Sequence, residues 1–151
     1  MLNEDYRDML QILLGNEVRF LVVGAYALSA HGYPRATGDF DIWVDASPEN
    51  SSKIYAALKE FGAPLADISE QTFTEDGIIF QIGIAPRRID IITHIDGVLF
   101  RDAYAAKKVI EVDGVSIPFL SKEDLIKNKR STGREKDKLD AEYLSKNQQL
   151  P

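Results

Sequence analysis

Apolar residues recur along the chain at two spacings, and the switches between them mark out the elements. Tyr6, Met9, Leu10, Leu13 and Leu14 form one stripe of a helix that Asn3 can cap and Gly15-Asn16 ends. Phe20-Leu21-Val22-Val23, entered from Arg19, is short and uniformly apolar, which predicts a buried strand stopping at Gly24. Good helix formers follow from Ala25 to Ala30, closed by Gly32 with Pro34 beyond. Asp39 to Val44 then alternates polar and apolar, the signature of a strand with two unlike faces.

The second half repeats these signals. Ser47-Pro48 places a cap and then proline at the first helical position, predicting a helix to about Phe61. Gly77 to Ile84 and Arg88 to Thr93 read as strands joined by Ala85-Pro86-Arg87. Val109–Val112 and Val115–Phe119 flank Asp113-Gly114, a two-residue hairpin signal. Ser121 with Asp124 three residues on opens a helix near Lys122, Gly133 breaks it, and a last helix covers 134–144. Residues 145–151 read as a flexible tail. The expectation is a single mixed α/β (α+β) domain over residues 1–144, its helices packed on one sheet.

Composition narrows the classes. A chain of 151 residues buries enough surface to fold without staples, and none are on offer, since it has no cysteine. Two distant histidines and no thiolates leave zinc without a ligand set. No apolar run reaches the roughly 18 residues of a membrane span. The first residues carry acids where a signal peptide carries bases, so the expected location is cytoplasmic. Net charge is −6, which argues against strong unaided nucleic-acid binding. That charge is uneven: residues 122–138 hold seven bases and four acids, a +3 segment on an acidic body.

The chemistry concentrates in Thr37-Gly38-Asp39-Phe40-Asp41-Ile42-Trp43-Val44. Alternation sends Asp39 and Asp41 to one face of the strand and Phe40 and Ile42 to the other. Two adjacent carboxylates repel unless a cation sits between them, and a hard ion such as magnesium suits oxygen donors. Arg88-Ile89-Asp90-Ile91-Ile92 sets a third carboxylate on an otherwise apolar strand. Alone, Asp-x-Asp is a common pattern on exposed strands, and Asp90 taken alone reads rather as a surface acid paired with Arg88. If the two strands are neighbours, the three acids converge and suit two metal ions in phosphoryl transfer. Upstream, Val22-Val23-Gly24-Ala25-Tyr26-Ala27-Leu28 runs a strand through glycine into a helix, where backbone N–H groups can meet a phosphate.

These parts, in this order, resemble the polymerase-beta-like nucleotidyltransferase superfamily, and within it AbiEii-like and related small bacterial nucleotidyltransferases. The resemblance rests on Gly24-Ala25-Tyr26-Ala27-Leu28, His31-Gly32, Arg35 through Asp41, Arg88-Ile89-Asp90, Pro118 through Leu125, and Lys129…Arg134-Glu135-Lys136-Asp137…Asp140, spanning about residues 18–144. It implies a mixed sheet with helices mainly on one face. It implies catalytic and metal-binding roles for Asp39, Asp41 and Asp90, two magnesium ions (or manganese), and nucleotide binding by Gly24, Ala25, Arg35, Thr37, Lys129, Arg134 and Lys136. The implied substrate is a nucleoside triphosphate such as ATP. The implied acceptor is a hydroxyl on RNA, protein or a small molecule, and a protein partner, as in a toxin–antitoxin pair, is a further implication. The chain departs from many members in having Ala25 where they carry glycine or serine, and in lacking the large helical domain of full-length AbiEii-type toxins. Two other readings stay open: a silent nucleotide- or partner-binding module, and a metal-dependent glycosyltransferase, which the short chain and the glycine turn disfavour. Asp137 and Asp140 are expected to organise Lys136 and Arg134, His31 to cap or pack, and His94 and Asp96 to serve a turn.

Overall fold

The computed structural model describes residues 2–33 and 39–146. Six helices and six strands follow in the order α1 (Glu4–Gly15), β1 (Phe20–Val23), α2 (Gly24–Ala30), β2 (Phe40–Val44), α3 (Pro48–Phe61), β3 (Ile79–Ile82), β4 (Ile89–Ile92), α4 (Phe100–Ala105), β5 (Lys108–Val112), β6 (Val115–Phe119), α5 (Lys122–Ser131) and α6 (Glu135–Lys146). The helix starts carry the expected caps. Asn3 Oδ1 accepts from Tyr6 N–H at 2.9 Å, Ser47 Oγ from Asn50 N–H at 3.2 Å and Ser121 Oγ from Asp124 N–H at 3.1 Å.

The strands form one mixed sheet in the order β3-β4-β2-β1-β6-β5. β1 runs antiparallel to β2 and parallel to β6, and β2 runs parallel to β4. β5 and β6 close through Asp113 (φ 53°) and Gly114 (φ 80°), the pair of left-handed residues that a two-residue turn demands. On the apolar face of β2, Phe40, Ile42 and Val44 are buried. Tyr6 of α1 stacks on Phe40 at 4.6 Å, and Tyr26 of α2 meets the same ring edge-on at 5.0 Å. α2 packs on β1 and β2, and α1 packs against α3 and β6. The other face of β2 carries Asp41 and Trp43, and Phe100 of α4 meets Trp43 edge-on at 5.0 Å. No helix among the described residues is long and apolar enough to cross a membrane.

Three boundaries differ from the sequence reading. β3 and β4 are shorter than expected, because Gly77 and Gly83 take positive φ and end the pleat on either side of β3. Leu14 is 38% exposed, since the buried stripe of α1 is Tyr6, Met9, Leu10 and Leu13. α6 continues to Lys146, into the range read as a tail, and residues 147–151 lie outside the described ones.

Candidate active site: three carboxylates beside a cleft

The β2–β4 pairing decides where the acids go. Its register sets Asp41 opposite Asp90, with Phe40 opposite Ile89 and Ile42 opposite Ile91. Alternation along each strand then buries the aliphatic and aromatic partners on one face and brings the two carboxylates together on the other. Asp39, one residue ahead of β2, joins them through Arg88: the guanidinium reaches Asp39 Oδ2 at 2.9 Å and Asp90 Oδ1 at 2.9 Å. A second contact, from Nη2 to Asp90 Oδ2 at 3.3 Å, makes the grip on Asp90 bidentate.

Gly24 sits directly against this group. Its φ is +68°, and a β-carbon there would collide with Asp41 Oδ2 and lie 3.2 Å from Asp41 Cγ. The residue required at the end of β1 is therefore the one that leaves room for the Asp41 carboxylate. Sequence reasoning assigned this glycine to phosphate approach; the crowding by Asp41 needs the β1–β2 register, Val23 opposite Asp41, to be seen.

Crowding has an electrostatic cost. Burial is the largest influence on Asp41, followed by the charge of Asp90, a hydrogen bond shared with Asp90 and the charge of Asp39; Arg88 opposes them only in part. The Asp41 carboxyl is pushed from 3.8 up to about 6. A folded pKa above the unfolded one gives stability that is complete below 3.8 and lost as pH rises through about 6. In metal-free buffer, thermal unfolding should therefore show a fall in stability between these limits that Asp41→Asn removes. Its ceiling is about 3 kcal/mol at roughly 1.4 kcal/mol per pKa unit. An identical pH slope in both proteins would refute the assignment.

A cleft of about 350 Å³ opens from Val23, Gly24 and Asp41 to the ends of α5 and α6, with Ile92, His94, Ile95 and Asp96 as floor. Lys129, Thr132, Arg134 and Asp137 form its far wall. Two contacts pin that wall to the turn that follows β4: Asn128 Nδ2 donates to the Asp96 carbonyl at 3.0 Å, and Gly97 lies so close to Ser131 that no β-carbon would fit. Lys129 reaches Asp137 at 3.2 Å and Asp140 at 3.8 Å, and Arg134 reaches Asp137 at 2.9 Å. Burial works against ionisation of Asp137, but the Thr132 hydroxyl, Lys129 and Arg134 outweigh it and hold its carboxyl below the ordinary value. A second cavity of about 490 Å³, walled by Trp43, Asp45, Asp76 and Phe100, shares His94 and Ile95 with the cleft. A larger hollow of about 650 Å³ lies beside α1, walled by Asp5, Asp8, Glu60 and Arg87, and holds none of the three acids, whereas the cleft takes Asp41 into its lining, with Asp90 paired beside it. Size therefore does not select the site; the carboxylates do.

Of the residues singled out in the sequence, Asp39, Asp41, Asp90 and Gly24 come together, with Lys129 and Arg134 across the cleft. Ala25 is half-buried behind Gly24 and off the cleft wall, and Lys136 is exposed and also off it. Of the two partners expected for Asp137 and Asp140, Arg134 sits on Asp137, while Lys129 stands where Lys136 was expected. Arg35 and Thr37 lie outside the described residues. His31 packs, its Nε2 2.7 Å from the Leu120 carbonyl oxygen. His94 sits between Asp76 and Asp96, each at 3.2 Å. Arg88 as a bridge across two acids, α4 with Phe100, and the Asn128 clamp were not anticipated. Only Arg88 had a sequence signal, its place two residues before Asp90.

The donor set suits a hard divalent ion: three carboxylates, no nitrogen or sulfur ligand, and a place that already draws a cationic side chain. Among the described residues, no three acids or histidines stand in a ready ligand shell, and Arg88 occupies the edge between Asp39 and Asp90.

No family model matches the chain, and no curated protein matches it. Among solved structures it is similar to a nucleotidyltransferase candidate from Thermotoga maritima, with TM-score 0.61 and 23% identity over 97% of this chain and 94% of that one. The chain thus has the fold of that protein along nearly its whole length, with a mixed sheet at its centre.

Proposed function

We propose that the chain is a magnesium-dependent nucleotidyltransferase, moving a nucleoside monophosphate from a nucleoside triphosphate to a hydroxyl acceptor with release of pyrophosphate. The observation that carries this reading is the β2–β4 register, which sets Asp90 against Asp41, itself part of the lining of a cleft that presents Lys129 and Arg134 on its far wall. The fold similarity supports it, and the motifs resemble the AbiEii-like branch.

Asp39, Asp41 and Asp90 would hold the metal, which supplies charge neutralisation on the phosphates when bound. The reaction joins the acceptor oxygen to the α-phosphorus and breaks its bond to the bridging oxygen, so pyrophosphate leaves with that electron pair. The acceptor hydroxyl gives up its proton, and Asp90 is the base in this scheme. Lys129 and Arg134 neutralise the phosphates from the opposite wall, the contribution such transfers need most. Lys129 also has a structural duty. It is 12% exposed and faces two buried carboxylates, so Lys129→Ala should cost about 3 kcal/mol by removing the buried cation they share. Arg134, at 74% exposure, separates the roles better. Arg134→Ala should lose under about 1 kcal/mol of stability while weakening triphosphate binding roughly tenfold, the weight of one charge-assisted contact. Calorimetric titration alongside thermal unfolding checks both; unchanged nucleotide affinity would remove Arg134 from the site.

The direct test is transfer of α-labelled nucleotide from each of the four triphosphates to RNA, protein and small-molecule acceptors, with Asp41→Asn as control. Label appearing in an acceptor only with the wild-type chain and magnesium is the expected result. The pairing of Arg88 with two of the three acids favours one second reading, a silent module or half of a toxin–antitoxin pair that binds nucleotide or a partner chain. Nucleotide binding without transfer to any acceptor would select it.

A further inference from the structure

We propose that Arg88 is the site's resident cation: its guanidinium holds the place of a metal ion at Asp90 and must withdraw before that ion binds. The inference rests on reading the three carboxylates as a metal site, and it concerns how that site fills.

Both Asp90 oxygens already accept from one guanidinium, Oδ1 from Nε at 2.9 Å and Oδ2 from Nη2 at 3.3 Å, and the same Nη2 reaches Asp39 at 2.9 Å. An ion coordinated by Asp90 competes with that bidentate grip for oxygen lone pairs and for charge. The Arg88 backbone is fixed, because its carbonyl accepts Phe40 N–H at 2.9 Å and Tyr6 O–H at 3.3 Å. The side chain is 30% exposed, against 12% for Asp90, so withdrawal is a rotation toward solvent that leaves the β2–β4 ladder intact. Asp41 is absent from the guanidinium's hydrogen bonds and shares one with Asp90 instead. The site is therefore uneven. An ion on the Asp39–Asp41 side displaces only the single Nη2–Asp39 contact, whereas an ion that needs Asp90 must break the bidentate pair. This ordering also accounts for the lack of a ready ligand shell among the described residues: the guanidinium is a spacer between the acids.

The consequence is that removing Arg88 strengthens metal binding, the reverse of what loss of a site residue ordinarily does. The test counts free manganese by electron paramagnetic resonance during titration of the wild-type chain, Arg88→Gln, Arg88→Lys, Asp90→Asn and the Arg88→Gln/Asp90→Asn double variant. Arg88→Gln should bind manganese at least tenfold more tightly, Arg88→Lys should fall between it and wild type, and the gain should vanish in the double variant. Thermal unfolding gives a second readout: in EDTA, Arg88→Gln should melt below wild type, and manganese should raise its melting temperature by more than it raises the wild-type value. Equal or weaker manganese binding by Arg88→Gln, with wild-type binding intact, would overturn the proposal and leave Arg88 as a scaffold for the acids. Absence of manganese binding in every variant, including Arg88→Gln, would overturn the metal reading itself.

Discussion

Asp41→Asn should abolish nucleotide transfer, by at least about a thousandfold, while the metal-free protein becomes more stable. The loss follows from the position of this carboxylate between Asp39 and Asp90. A thousandfold corresponds to about 4 kcal/mol of transition-state stabilisation, within what a metal clamp on a phosphoryl group supplies. The stability gain follows from the same crowding. The amide is isosteric and neutral, so it keeps the packing against Gly24 and removes a charge that burial and two neighbouring acids disfavour. The opposite signs are the signature of a functional site that the fold tolerates at a cost. Steady-state transfer and thermal unfolding in EDTA measure the two. A variant that keeps a tenth of the activity would take Asp41 out of the mechanism.

Gly24→Ala should cost transfer about a hundredfold with a smaller effect on folding. Two physical terms combine. The left-handed backbone, φ +68°, costs a non-glycine residue about 1 kcal/mol. The added methyl also needs the space that holds the Asp41 carboxylate. Turning aside takes that carboxylate away from Asp90, its partner across the β2–β4 pairing, and out into the cleft. Displacing a reacting group by about an ångström is worth roughly a hundredfold in rate. Adding Gly24→Ala to Asp41→Asn should bring little further loss, since both act on one carboxylate. Full additivity of the two losses would place the role of Gly24 elsewhere, for instance in direct phosphate contact.

Much of this site was legible in the sequence because it depends on period-two alternation. Asp39-Phe40-Asp41-Ile42 and Ile89-Asp90-Ile91 each state which side chains share a face, and one strand pairing brings the acids together. The hairpin at Asp113-Gly114 and the caps at Asn3, Ser47 and Ser121 were legible for the same reason: each is a local rule satisfied by adjacent residues. What stayed hidden depends on contacts across long separations. The Asp137 carboxylate chooses Lys129 and Arg134 over its neighbour Lys136 because it points into the α5–α6 seam, while Lys136 points out. α4 escaped notice because it spans six residues and buries only Ala103, too short for a helical stripe. Gly24 was noticed for its backbone freedom, but its crowding by Asp41 is a property of the β1–β2 register.

The central claim is that Asp39, Asp41 and Asp90 receive metal and triphosphate together. Crystals soaked with manganese and a non-hydrolysable triphosphate, measured at the manganese absorption edge, test it directly. The expected result is anomalous density within about 2.2 Å of carboxylate oxygens from all three residues, with the triphosphate running toward Lys129 and Arg134 and the Arg88 side chain turned away from Asp90. Manganese or triphosphate bound elsewhere, with Arg88 still bridging Asp39 and Asp90, would contradict it.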